Sequence, residues 1–148
     1  MSGTFSPGQA ARRSGFSIDT LRYYEKIGLI AIDRRANGHR EFNDEDLEWL
    51  AVLRCLRDTG MPIADMRRYA KLARTGDDTL LDRLRLLSEH DGHVAETIRN
   101  LQAQREHLKE KIAWYQEHID AAPDDGSRYP GTGLLSERER QGSRGRAE

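Results

Sequence analysis

Apolar residues fall into three successive patterns along this 148-residue chain. Up to about residue 28 they mark two short helices. Ser6, Pro7 and Gln9 compose a capped helix start, and the helix is expected to run to about Ser14 and stop at Gly15. Ser17 caps a second start, Asp19 sits in its first turn, and Gly28 ends it after Ile27. Only Gly15 and Phe16 separate the two, which predicts a helix-turn-helix over about 7–26. From 29 to 42 the pattern is that of a hairpin: "LIAI" and "HREF" flank Asn37-Gly38, a strong turn signal, and predict a small wing.

A third helix begins at Asn43 or Asp44 and stops at Gly60. Leu47, Trp49, Leu50, Ala51, Val52, Leu53, Cys55 and Leu56 fall on nearly every side of it, which predicts a helix sandwiched inside its domain. Pro62 opens a fourth helix, with Ile63, Met66, Ala70 and Ala73 as inner face and Arg67, Arg68 and Lys71 off it. From Leu80 to Ile119 the apolar positions advance in alternating steps of four and three, interrupted only by Asp91 and Arg105. This heptad seam predicts one helix over 79–120, roughly 60 Å long. Gly92 is its weak point. A stripe of that kind needs a partner helix and the chain offers no second long one, so the partner is a second copy. Arg105 on the seam favours antiparallel pairing. Pro123 is expected to end the helix, and the polar, glycine-rich residues 123–148 to be a disordered tail.

Composition narrows the class. One third of the residues are charged and 36% are hydrophobic, which suits an exposed helical protein better than a large globular enzyme. No apolar run approaches the roughly 18 residues of a membrane span, and no basic-then-apolar leader opens the sequence. A single cysteine, Cys55, excludes an internal disulfide framework and suits a reducing cytoplasm. The net charge of -1 hides an excess of positive charge in the first half and of negative charge in the second.

The helix-turn-helix gives the charge a use. Its second helix would present Ser17, Asp19, Thr20, Tyr23 and Arg22 to base edges and phosphates, and its N-terminus favours an anion. Arg34, Arg35, His39 and Arg40 make the wing a cationic ribbon fit for the DNA backbone. Of the adjacent pair Tyr23 and Tyr24, one is expected to pack inward, because neighbours on a helix point about 100° apart.

"TFSPGQAARRSGFSIDTLRYYEKIGLI" followed by "NGHREFNDEDLEWLAVLRCLRDTGMPIADMRRYAKL" resembles the MerR family of bacterial transcription regulators over residues 4–73. The resemblance implies a mainly α fold: a winged helix-turn-helix followed by a long dimerisation helix in an antiparallel coiled coil. It implies a homodimer on a pseudo-palindromic promoter operator, acting on RNA polymerase indirectly by distorting DNA in response to an effector. Carried over by position, Arg22 and Tyr23 contact DNA from the recognition helix, and Arg12 and Arg13 lie near the backbone. Arg67 and Arg68 match a second, helical wing. His39 stands where the family usually has tyrosine beside Arg40.

At the effector end the chain departs from the metal-sensing members, which carry further cysteines near the end of the dimerisation helix. His90, Asp91 and His93, or His107 and His118, are poorly spaced as ligands and read as solvated side chains, so neither metal nor cofactor is expected. Drug-sensing members need a ligand-binding domain after the coiled coil, which 26 polar residues would not form. The context "LRCLRDTGM" around Cys55 resembles the subgroup answering to aldehydes or thiol oxidation. Arg54 and Arg57 nearby would favour a reactive thiolate. The alternative is a small hydrophobe in the core. A thiol-dependent enzyme would need a base and a pocket near Cys55, and a coiled-coil adaptor would leave the wing unexplained.

Overall fold

The computed structural model describes residues 3–120. The chain divides after Glu96 into two compact units. The first holds β1 (Thr4–Phe5), α1 (Pro7–Ser14), α2 (Ile18–Lys26), β2 (Asp33–Arg34), β3 (Arg40–Asn43), α3 (Asp44–Asp58) and α4 (Ile63–Thr75). A single 3-10 turn, Asp77–Thr79, leads into α5 (Leu80–His118), whose first turns belong to this unit.

The helix starts form as their capping residues dictate. The Ser6 hydroxyl accepts from the Gln9 amide while Gln9 Oε1 accepts from the Ser6 amide, which closes a capping box on α1. Asn43 and Asp46 do the same for α3, at 2.8 and 2.9 Å. Ser17 caps α2 through the Thr20 amide. Gly15 ends α1 in the left-handed region, and a Cβ there would land on the Arg54 guanidinium. That guanidinium donates to the Ser14 carbonyl at 2.9 Å and so satisfies an orphan carbonyl of α1 from α3. The tight turn between the first two helices therefore requires glycine for two reasons.

The wing is shorter than the sequence predicts. β2 and β3 pair antiparallel, Asp33 opposite Glu41 and Arg34 opposite Arg40. The loop is a β-turn from Arg35 to Gly38 followed by Gly38 in the left-handed region, the three-residue hairpin form. "LIAI" supplies no strand: Leu29 and Ile30 are buried in the core instead, because apolar burial outweighs strand extension there. β1 pairs with the other edge of β3, Phe5 opposite Phe42, giving the order β1-β3-β2.

The core is built on Phe42, Leu29, Leu50, Leu53 and Met66, with Phe16, Leu21 and Tyr24 contributed by the helix-turn-helix. Trp49 stacks on Tyr69 at 5.7 Å and donates to the Leu29 carbonyl. Two expectations are corrected. α3 is covered on one side only: Leu50, Leu53 and Leu56 are buried against neighbours that include α1, β3 and α4, but Ala51, Val52 and Cys55 are exposed. On α4, Met66 and Ala70 face inward but Ile63, in the first turn, is exposed. Further on, the Thr79 hydroxyl donates towards the Leu72 and Gly76 carbonyls and fixes the turn into α5. Leu86 is buried and Leu87 packs on the core.

The described part of the second unit is the remainder of α5 and the two residues after it. Ile98, Leu101, Leu108, Ile112, Tyr115 and Ile119 are all exposed. Trp114 stacks on His118 at 4.2 Å, and the His118 ring nitrogen Nδ1 lies 2.9 Å from the Trp114 carbonyl. The expected stop at Pro123 and the expected tail over 123–148 lie outside the described residues.

Candidate nucleic-acid interface

The exposed face of α2 carries the residues singled out in its sequence. The Ser17 hydroxyl donates to Thr20 Oγ1 at 2.9 Å, and Thr20 is half-buried. Arg22 is exposed and lies 3.8 Å from the fully exposed Asp19 carboxylate, a loose pair that leaves the guanidinium available. Tyr23 is 49% exposed while Tyr24 is 4% exposed, so the pair divides between surface and core. Tyr24 meets Phe16 edge-on at 5.2 Å, and burial pushes its phenol above the ordinary value although the Arg57 guanidinium opposes the shift. Only Tyr23 offers its ring and hydroxyl outward.

The wing cations are placed beside α2 by one carboxylate. Glu25 Oε1 accepts from Arg34 at 3.1 Å and Glu25 Oε2 accepts from Arg40 at 2.7 Å. Arg34 also donates to the Gly38 carbonyl across the hairpin, and Arg35 pairs with Glu41. Glu25 is thus the joint between α2 and the wing. The sequence reading missed it, because a glutamate on a helix next to a lysine looks like part of a solvated face. Its partners lie nine and fifteen residues on, and come within reach only when the hairpin folds back. His39 is exposed at the end of the loop, its amide held by Asn37 Oδ1.

Arg12 is exposed on α1, and Arg13 lies over the Phe5 ring at 4.5 Å. Arg67 and Arg68 line an open groove of about 580 Å³ with Lys71, Arg74, Ile27 and Gly28. Among the described residues no carboxylate lines it, so the groove is suited to an anion. The structure thus gathers Ser17, Thr20, Arg22 and Tyr23 on one helix and joins Arg34 and Arg40 to that helix. Arg67 and Arg68 form a separate cationic groove.

Cys55 is exposed rather than packed in the core. It lines an open groove of about 360 Å³ with Arg13, Leu47, Ala51 and Asp58. Arg54 and Arg57 both pair with Asp58, and Arg57 also lies over the Phe16 ring. They hold the Asp58 carboxyl below its ordinary range, Arg57 foremost. Among the described residues no three His, Cys, Asp or Glu side chains come together in a metal-binding arrangement. His90 Nε2 lies 2.7 Å from Thr59 Oγ1. Among the described residues no helix is long and apolar enough to cross a membrane.

Comparison with known proteins gives the arrangement a context. Residues 5–72 match the family model described as MerR HTH family regulatory protein, and residues 47–111 match that described as MerR, DNA binding. An uncharacterized HTH-type transcriptional regulator of Haemophilus influenzae is 40% identical over 114 residues, spanning 76% of this chain and 84% of the relative. The HTH-type transcriptional regulator AdhR of Bacillus subtilis is 34% identical over 89 residues, 60% of this chain and 64% of its own. Among solved structures, HiNmlR, a MerR family regulator lacking the sensor domain and bound to promoter DNA, superposes with a TM-score of 0.75. It is 38% identical, with 80% of this chain and 95% of that one covered. A putative MerR family transcriptional regulator from Listeria monocytogenes gives 0.72 at 37% identity, covering 80% and 90%.

Proposed function

The chain belongs to the MerR family of DNA-binding transcription regulators, and from that premise we propose that it reads a pseudo-palindromic promoter operator as a homodimer, through the exposed face of α2. Promoter distortion in response to an effector is general for the family, whose members are regulators rather than enzymes. Arg22 and Tyr23 approach base edges and phosphates; Ser17 and Thr20 set the N-terminus of the helix against the backbone. Arg34, Arg35, His39 and Arg40 flank them from the wing, Arg12 and Arg13 from α1, and Arg67 and Arg68 from α4. RNA polymerase is affected through the DNA, and the site of action is the cytoplasm. The observation that carries this reading is the Glu25 joint, which holds the wing arginines beside the exposed face of α2. Fluorescence anisotropy with a fragment from upstream of the protein's own gene tests it. Binding should weaken steeply with salt and exceed that of a scrambled fragment; equal affinity for both would overturn the reading.

Cys55 is the proposed effector site, for an aldehyde or an oxidant. Because the thiol is exposed, an adduct there would not have to displace core side chains. An adduct would instead fill the groove beside the Arg54–Ser14 bond that ties α3 to the helix-turn-helix. Cys55→Ser should keep DNA affinity and lose the response in a reporter assay; an equal response in both proteins would remove Cys55 from the mechanism.

A further inference from the structure

The heptad stripe of α5 has a two-fold property that its apolar residues alone do not display. Leu84, Ile98, Leu101 and Tyr115 are exposed at seam positions, as are Leu80 and Ile119 at its ends. Asp91 and Arg105, the seam's two charges, are exposed too, and no ion pair is recorded for either among the described residues. A carboxylate and a guanidinium on a stripe that a second copy covers each need an opposite charge, because an unpaired charge at a buried seam is costly.

Given the antiparallel pairing that the family resemblance implies, we propose the one register that sets Ile98 against the partner's Leu101, in which Asp91 forms an ion pair with the partner's Arg105, twice by symmetry. This rests on the homodimer reading above. In this register Leu84 lies against the partner's Tyr115 and Leu80 against the partner's Ile119, so each exposed apolar position of the stripe lies level with a stripe residue of the partner. Asp91 lies level with the partner's Leu108, three residues from the partner's Arg105. That is about 4.5 Å along the axis at about 1.5 Å per residue, within reach of a long side chain across helices about 8–10 Å apart. Parallel pairing instead sets Asp91 against Asp91 and Arg105 against Arg105. Sliding by one heptad one way leaves Tyr115 and Ile119 of both copies uncovered. Sliding the other way uncovers Leu80 and Leu84 and puts Asp91 about 15 Å from the partner's Arg105.

Two experiments on the full chain test the register. Asp91→Arg and Arg105→Asp should each raise the dimer dissociation constant about tenfold, and the double reversal should restore most of that loss. Additive weakening in the double variant overturns the ion pair. In a Cys55→Ser background, Leu84→Cys with Tyr115→Cys should cross-link the dimer on oxidation, while Leu108→Cys alone should not. Cross-linking through Leu108→Cys alone identifies a parallel pair, and through Leu84→Cys with Leu108→Cys a shifted one; either overturns the register while leaving the dimer intact. A native protein that scatters light as a monomer overturns the homodimer itself.

Discussion

The winged part of the first unit and the stripe along α5 resolve the same problem in opposite ways. Each segment of the first is too short to stand alone, yet α1, α2 and α3 each start in a side-chain cap and the core gathers on Phe42, Leu50 and Leu53. Its charges are largely settled among themselves, Arg34 and Arg40 on Glu25 and Arg54 on Asp58 and Ser14. The part of α5 beyond Glu96 is a single long element with an apolar stripe left open. A region whose caps and core close within the chain folds by itself, whereas a region with a bare stripe is finished only by another molecule. The difference separates two parts of one function: reading DNA is encoded within one copy, and spacing two readers requires two.

The strongest way to break this contrast is to charge the stripe. Leu101→Glu with Leu108→Glu should dissociate the dimer and abolish operator binding while the near-native circular dichroism of the first unit's aromatic residues persists. Light scattering and anisotropy on the same sample measure both halves. If DNA affinity survives in a monomer, the contrast fails. Next in size, Phe42→Ala removes a side chain that is 1% exposed at the junction of sheet and helices. It should cost about 3–5 kcal/mol by denaturant titration. A loss of assembly before any loss of fold would show that the two regions are coupled.

Arg22→Ala sharpens the contrast from the other side. It should weaken specific binding by about 1–3 kcal/mol with no change in dimerisation, whereas Arg67→Ala should weaken all sequences about equally. Smaller again is Gly92→Ala: a Cβ there meets nothing within 4 Å. Replacing a mid-helix glycine should stabilise by about 0.5–1 kcal/mol, read as a higher Tm with unchanged DNA affinity. The least effect near neutrality concerns Tyr24. Its folded-state pKa is raised, so its contribution is complete below the ordinary phenol pKa and is lost as pH rises through the folded value. The alkaline fall in Tm should be shallower in Tyr24→Phe.

Much of this was legible in the sequence, for local reasons. Ser6, Ser17 and Asn43 announce helix starts because a cap needs only residues three positions apart. The seam of α5 is legible because a heptad repeats. β1 was not, since two residues carry no period and their partner strand lies far along the chain. Leu29 and Ile30 misled because an apolar run reads alike as strand or as core loop. On α2, helix spacing marks Arg22 and Tyr23 as surface candidates, and both are exposed. Glu25 is not marked in this way, because its meaning depends on a hairpin folding back on it.

That carboxylate has a consequence for the thermodynamics of docking. Arg34 and Arg40 are held before any DNA arrives. Side chains already fixed escape an ordering cost on association of about 0.5–1.5 kcal/mol each. The wing therefore meets its target as a stiff blade at a set distance from the recognition helix. Any mismatch between that distance and the spacing of successive grooves falls on the duplex, whose bending over a site costs of order 1–6 kcal/mol.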